Sequence, residues 1–325
     1  MMEFKLLKRR FWEFGGWRLT KECAKLGIVP DIIKTFFICI LKRESLRAIY
    51  PAIRNKVCPM LVAKYKHIIW ESKAKYEAES LPHEHPKVVW WCWLQGEENA
   101  PEIVKACLNS LRKNLPQEYE IRIIDEENWR QWVSLPDYIV QKRRKGQIPP
   151  ALFSDILRLE LLIRYGGSWI DSTVLCTGLQ KLPESIKLLE ADLFFFQYTN
   201  PGSQRFRGIS NWFISAHSNH RILMVMRDIL IAYWRDYDCT LDYYIFHLFF
   251  GGMLKAYPED IDAMPYAYSV DALQLMKHWH EEYDQQKWSE WTSKVCFHKL
   301  SSRPKKQCKI AKKNIYRHTI EEYKT

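Results

Sequence analysis

Between Pro149 and Cys176 the chain reads PPALFSDILRLELLIRYGGSWIDSTVLC. Prolines at the start and paired glycines at the end bound a helix: proline suits a first turn, and glycine accepts the left-handed backbone of a helix stop. Leu152, Ile156, Leu159 and Ile163 recur at helical spacing and form the expected core stripe. Asp155 and Arg158 lie together on its flank, with Glu160 and Arg164 on the far side. A helix that turns through two glycines straight into a strand is one unit of a longer alternation. That alternation starts at Lys87. KVVWWCWLQG reads as a strand, APEIVKACLNSLRKNLP as a helix, YEIRIID as a strand ending at Asp125, and SWIDSTVLC as a third strand. DLFFFQY and NWFISA read as further strands, HRILMVMRDILIAYWRDY and CTLDYYIFHLFFGGML as helices. The pattern predicts an α/β fold with a largely parallel sheet. Ligands of such sheets bind beyond the carboxyl ends of the strands. Trp93, Leu94, Gln95, Gly96, Asp125 and the segment from Asp171 to Thr173 are therefore expected around one crevice.

The chain outside this block is different. Residues 1–85 interleave Lys and Arg with Phe, Trp, Ile and Leu, as in FKLLKRRFWEFGGWRLTK and DIIKTFFICILKRESLRAIY. The spacing predicts several short helices with apolar and basic faces. Two readings stay open: a helical extension that docks on anionic lipid, each basic side chain adding about 1 kcal/mol, or an appendage with a solvated basic face. Pro82, His83, Glu84, His85 and Pro86 form a break, so domains are expected at 1–85, 86–300 and 301–325. The last is a basic tail on the surface or partly disordered.

Lys plus Arg is 49 against 38 Asp plus Glu, a formal charge of 49 − 38 = +11. That invites a nucleic-acid reading, but the basic residues concentrate at both ends and no nucleic-acid-binding motif is present; no specific nucleic-acid partner is expected. The nine cysteines form no C-x-x-C pair and no zinc-finger spacing. They read as reduced thiols of a cytoplasmic protein. The apolar stretches Thr35–Leu41 and Tyr243–Leu254 fall short of the ~20 residues that span a bilayer.

Strand alternation puts Trp169, Asp171 and Thr173 on one side. A carboxylate at a strand end, beside a helix bearing Asp and Arg, suits a divalent cation and a diphosphate, because Mg²⁺ and Mn²⁺ take hard oxygen ligands. Taken alone, Asp155 and Arg158 also read as an ordinary helix salt bridge worth a few tenths of a kcal/mol. Asp242, Tyr243 and His247 fall on the expected helix around LDYYIFHLFF, with Tyr243 and His247 one turn apart. Polar groups in an apolar helix are costly to bury unpaired. They serve either acceptor positioning and proton transfer or a core polar network.

The joined run S-D-I-L-R, then G-G, then W-I-D-S-T resembles the sugar-nucleotide glycosyltransferases of the DXD type. Within them it is most similar to the bacterial capsular polysaccharide synthesis group, related to glycosyltransferase family 32. Clostridial glucosylating toxins and yeast α-1,6-mannosyltransferases resemble it more distantly. The resemblance covers about residues 86–300. It implies a GT-A-like (Rossmann-like) nucleotide-sugar-binding domain that transfers sugar with retention. The implied acceptor is a glycan, on a lipid carrier at the inner face of the membrane, where the protein would sit peripherally. By this resemblance Trp93, with Leu94, Gln95 and Gly96, stacks on the nucleotide base. Asp155 and Arg158 hold the donor sugar and diphosphate, and Asn211 lies near the reacting sugar. Asp242 and His247 serve the acceptor. Asp171 binds the cation, Mn²⁺ or Mg²⁺, or the ribose, and His298 completes the metal site with Thr173. One departure stands out: Thr173 replaces the second aspartate, so the site loses a negative charge. A further ligand such as His298, or basic groups on the diphosphate, would then make up the difference. The rival reading is a non-catalytic nucleotide-sugar or glycan-binding protein of the same fold, with Thr173 marking decay. The joint presence of Asp155, Arg158 and Asp171 argues against it.

Overall fold

The computed structural model describes residues 17–42, 49–179, 182–200, 203–311 and 313–324. The basic stretch expected before Trp17 lies outside them. The chain divides into two compact units. One comprises Met1–Glu79, Ser134–Ile156 and Met224–Pro258; the other comprises Ser80–Val133, Leu157–Leu223 and Glu259–Thr325.

In the first unit the expected short helices are Trp17–Lys25 and Val29–Leu41, followed by one helix of 29 residues, Ile49–Glu77, with Pro59 inside it. Its length has a simple cause. Val57, Leu61, Tyr65 and Ile69 recur every fourth residue and are all buried, so one continuous apolar stripe favours one helix over several. The same face carries polar pins. Tyr65 donates to Asp236 Oδ2 at 3.0 Å, and Ser72 and Tyr76 donate to Asp228 Oδ2 at 2.8 and 2.7 Å.

The second unit holds the seven strands of the described residues: β1 (Val88–Cys92), β2 (Glu120–Ile124), β3 (Gly167–Ile170), β4 (Val174–Cys176), β5 (Leu193–Asn200), β6 (Ser203–Ala216) and β7 (Phe297–Lys299). The main sheet runs β2-β1-β3-β6-β5. β1 is parallel to both β2 and β3, whereas β6 is antiparallel to β3 and to β5. The fold is thus mixed α/β as expected, but the parallel part stops at β3. β1 is buried along its whole length, with Trp90 and Trp91 inaccessible, as befits a central strand covered on both faces. The expected single strand SWIDSTVLC breaks at Asp171–Thr173. β4 then leaves the main sheet and pairs with β7 in a sheet of its own.

The expected C-terminal tail is part of the core. Helices Lys306–Ile310 and Ile315–Glu322 bury Cys308, Ile315, Tyr316 and Ile320 in the cluster that contains Cys107 and Leu111 of helix Glu102–Asn114. Its many lysines mask an amphipathic pattern that supplies these buried positions.

The two glycines at the entry to β3 are required by space as well as by backbone angle. Gly166 has φ 71° and Gly167 φ 90°. A Cβ on Gly166 would meet Glu84 O and lie 2.8 Å from Ser218 N; on Gly167 it would lie 2.6 Å from Val88 O. Gly146 has a similar φ of 67° but open space around it. Gly146→Ala is expected to cost about 1–2 kcal/mol, the left-handed penalty alone. Gly166→Ala and Gly167→Ala should each cost clearly more, because backbone must move as well. Urea unfolding of the three variants checks the ordering.

Candidate functional site

Because β1, β2 and β3 are parallel, their carboxyl ends share one edge, and the loops there carry the expected residues. Trp93 N donates to Ile124 O at 3.0 Å and Glu126 N to Leu94 O at 3.1 Å, so the β1–β2 ladder continues past both strands. Gly96, at φ 81°, closes the turn with its N–H on Trp93 O at 2.9 Å. Trp93 is half-buried, Leu94 buried and Gln95 exposed. Asp125 Oδ1 accepts from Glu127 N and Asn128 N, both at 2.9 Å. Its carboxylate therefore braces the turn after β2.

The tightest arrangement is at the end of β3. Asp171 N donates to Trp212 O at 2.8 Å, and Val174 N closes a turn onto Asp171 O at 3.0 Å. The Asp171 carboxylate meets three donors. Trp169 Nε1 donates to Oδ1 at 2.9 Å, Arg158 Nη2 lies 3.3 Å from Oδ1, and Lys299 Nζ donates to Oδ2 at 2.7 Å. Lys299 Nζ also donates to Thr173 Oγ1 at 2.7 Å. Arg158 is buried, lies over the Trp169 ring with 5.0 Å to its centroid, and donates to the backbone oxygen of Asn211. Burial alone would push the Asp171 carboxyl up. The charges of Lys299 and Arg158, with the hydrogen bonds of Lys299 and Trp169, outweigh it and hold the group below the usual carboxylate range. Asp171 is thus one carboxylate between two fixed cations.

So Arg158, Asp171, Thr173 and Asn211 come together, Asn211 through its main chain. Asp155 sits one turn before Arg158 on helix Pro150–Tyr165, and both are buried. The helix is covered almost all round, which places the pair deeper than a flank.

Residues 39–320 match a known family, described as capsular polysaccharide synthesis protein. The chain belongs to that family. This capsular polysaccharide synthesis family member is also 25% identical over 171 residues to O-glycosyltransferase PaGT of Phomopsis amygdali, across 49% of this chain and 41% of that protein. It thus spans less than half the length of that curated relative. Among solved structures it is similar to PaToxG Glycosyltransferase, with a TM-score of 0.39 and 14% identity over 73% of this chain and 93% of that one.

Three expected residues of the family member have other partners. His298 faces away from Asp171, because neighbours on a strand point to opposite sides and Lys299 takes the inner one. Its Nε2 lies 3.0 Å from Thr177 Oγ1 in full burial, which pushes its pKa down to about 3. Asp242 precedes helix Ile245–Ala256 rather than lying on it. Its carboxylate accepts from Arg54 Nε and Tyr244 N, both at 2.6 Å, the pattern of a core polar network. His247 lies on that helix with its ring 5.6 Å from Tyr244. The exposed Tyr243 precedes the helix.

A divalent cation does not suit this donor set. The oxygens of Asp171 and Thr173 that would face it are both held by Lys299. Among the described residues no three His, Cys, Asp or Glu side chains converge to hold one. Lys299 is the residue that sequence reasoning missed. The signal was there in the missing second aspartate, which leaves room for a fixed cation, and in HKL, where alternation decides which side chain turns inward.

The buried neutral His298 gives a pH signature. Below about pH 6.5 the unfolded chain binds a proton at this ring, which the folded chain refuses until about pH 3. Stability should therefore fall as pH drops through that window, by roughly 5 kcal/mol at most over the whole shift. His298→Gln is expected to flatten the decline, measured as urea unfolding from about pH 7 to pH 4 in both proteins.

Proposed function

We propose that this protein is a glycosyltransferase that moves a sugar from a nucleotide-sugar donor to a glycan acceptor, with retention, on a GT-A-like domain. The observation that carries the reading is the cluster of Arg158, Lys299 and Asp171 at the carboxyl edge of the parallel strands. Membership of a polysaccharide synthesis family and likeness to a protein named O-glycosyltransferase support it. Departure of a nucleoside diphosphate is the hard part of such a transfer, and preorganised positive charge near the leaving oxygens lowers that barrier. The ionised Asp171 accepts hydroxyl hydrogen bonds of the ribose or sugar. Arg158 is buried and fixes Asp171, while the half-buried Trp93 offers a ring face to the base.

The experiment is a donor screen. UDP-, GDP- and CMP-sugars are incubated with the protein and released nucleotide is measured. One donor class is expected to turn over. Asp171→Asn, which keeps shape and removes charge, and Arg158→Lys, which loses the planar fork, should each lower turnover by about 100-fold or more. Folded protein that neither binds nor turns over any donor would sink the reading.

The acceptor is proposed to be lipid-linked, with the N-terminal helices resting on an anionic membrane surface. Ile33, Phe37 and Leu41 recur every fourth residue along helix Val29–Leu41 and are 51%, 57% and 81% exposed, beside the exposed Lys34. Among the described residues no helix is long and apolar enough to cross a membrane. An apolar stripe with basic neighbours suits the headgroup boundary. Sedimentation with phosphatidylglycerol vesicles should carry the protein down, and Phe37→Asp with Leu41→Asp should leave it in solution. Equal sedimentation of the two proteins would remove the membrane reading.

A further inference from the structure

We propose that Lys299 stands where a D-x-D site holds its divalent cation, so that the donor diphosphate is bound and released against a fixed ammonium and without metal. The inference rests on the glycosyltransferase reading and goes beyond it by naming what neutralises the leaving group.

Three observations carry it. The first is position. Nζ lies 2.7 Å from both Asp171 Oδ2 and Thr173 Oγ1, the two side chains that bracket the cation in an Asp-x-Asp turn. The second is charge. A pair of aspartates calls for a dication. Here the one aspartate already has the ammonium of Lys299 and the guanidinium of Arg158 beside it, and Thr173 adds only a neutral hydroxyl. A dication would have to approach that ammonium with both facing oxygens already engaged. The third is accessibility. The Lys299 side chain is 21% exposed, and among the described residues its ammonium spends two of three N–H bonds on Asp171 and Thr173. The third can reach a phosphate oxygen.

Main-chain geometry keeps the lysine there. β4 pairs with β7 so that Val174 is opposite Lys299, and Leu300 N donates to Thr173 O at 2.8 Å. The Asp171–Val174 turn and the lysine are thus tied to the same two strands. In the transfer, the bond from the anomeric carbon to the diphosphate oxygen breaks and its electron pair stays on that oxygen, beside Lys299. The acceptor hydroxyl oxygen bonds to the same carbon, and its proton passes to the released diphosphate.

The test is calorimetric binding of UDP, GDP, CDP and ADP to the whole protein, in EDTA and in Mn²⁺. One nucleoside diphosphate is expected to bind with about the same Kd in both. Lys299→Ala should weaken it by about tenfold or more, the size of a hydrogen bond to a charged group, and Lys299→Arg should restore most of the loss. In a parallel arm, the electron paramagnetic resonance signal of Mn²⁺ should remain that of the free ion when nucleotide-free protein is added. Binding that requires Mn²⁺, or a Mn²⁺ signal lost to the wild-type protein, would overturn the lysine inference and leave the glycosyltransferase reading standing. So would a folded Lys299→Ala that keeps full affinity. Absence of binding by all four nucleotides in both conditions would instead overturn the glycosyltransferase reading, and this inference with it. The wild-type comparison decides the matter even where a variant does not fold.

Discussion

The Asp171 carboxylate is the point where distant parts of the second unit become interdependent. A half-buried carboxylate is costly unless its charge is balanced and its oxygens are hydrogen-bonded. Here the balance comes from helix Pro150–Tyr165 through Arg158, from β3 through Trp169, and from β7 through Lys299. Each donor is useless without its own element in place. Arg158 needs the helix stop at Gly166, Trp169 needs β3 in register with β1, and Lys299 needs the separate β4–β7 pair. Removing either cation withdraws charge balance from a carboxylate held largely out of water, and removing the indole withdraws a hydrogen bond. The cluster is therefore a constraint on the fold before it is a site.

What the sequence disclosed and what it hid divide along the range of the interaction. The helix stop at Gly166-Gly167, the burial of Trp90 and Trp91, and the gathering of Trp93, Asp125 and Asp171 at one sheet edge all follow from local pattern and from the parallel rule. The break after Ile170 was hidden, because the residues on both sides of it remain apolar and β-branched, and nothing local says that β4 will choose β7 in place of β6. That choice also decided between His298 and Lys299. A histidine draws attention as a metal ligand, yet a one-residue difference on a strand reverses which side chain faces Asp171. The fate of the basic C-terminal stretch was hidden for the opposite reason. Its charge is visible, while the buried Cys308, Ile315, Tyr316 and Ile320 only make sense once Cys107 and Leu111 are known to be opposite them.

In the first unit the same logic explains Asp242. Read alone, an acid among Leu, Tyr, Ile and Phe invites a chemical role. In the fold it braces the start of helix Ile245–Ala256 by accepting from Tyr244 N, and it binds Arg54 of the long helix. Asp228 and Asp236 do similar work, receiving hydroxyl donors from Ser72, Tyr76 and Tyr65. Three acids thus fix the register of the 29-residue helix, which an every-fourth-residue apolar stripe alone would specify only to within a turn.

A threonine in the place of an aspartate reads as loss when only the pair of positions is considered. With the lysine included it reads as exchange. An Asp-x-Asp pair binds its cation from solution and carries a binding equilibrium into every turnover. A lysine anchored in a β-pair is present at a fixed place whatever the ion concentration, and it needs a neutral oxygen at position 173 because a second carboxylate would quench its charge. Under the proposed exchange the two residues are coupled: threonine without lysine leaves the diphosphate short of positive charge, and aspartate with lysine leaves the ammonium spent on the protein itself. The proposed exchange therefore predicts what the geometry has, a side chain that hydrogen-bonds the oxygens of both Asp171 and Thr173.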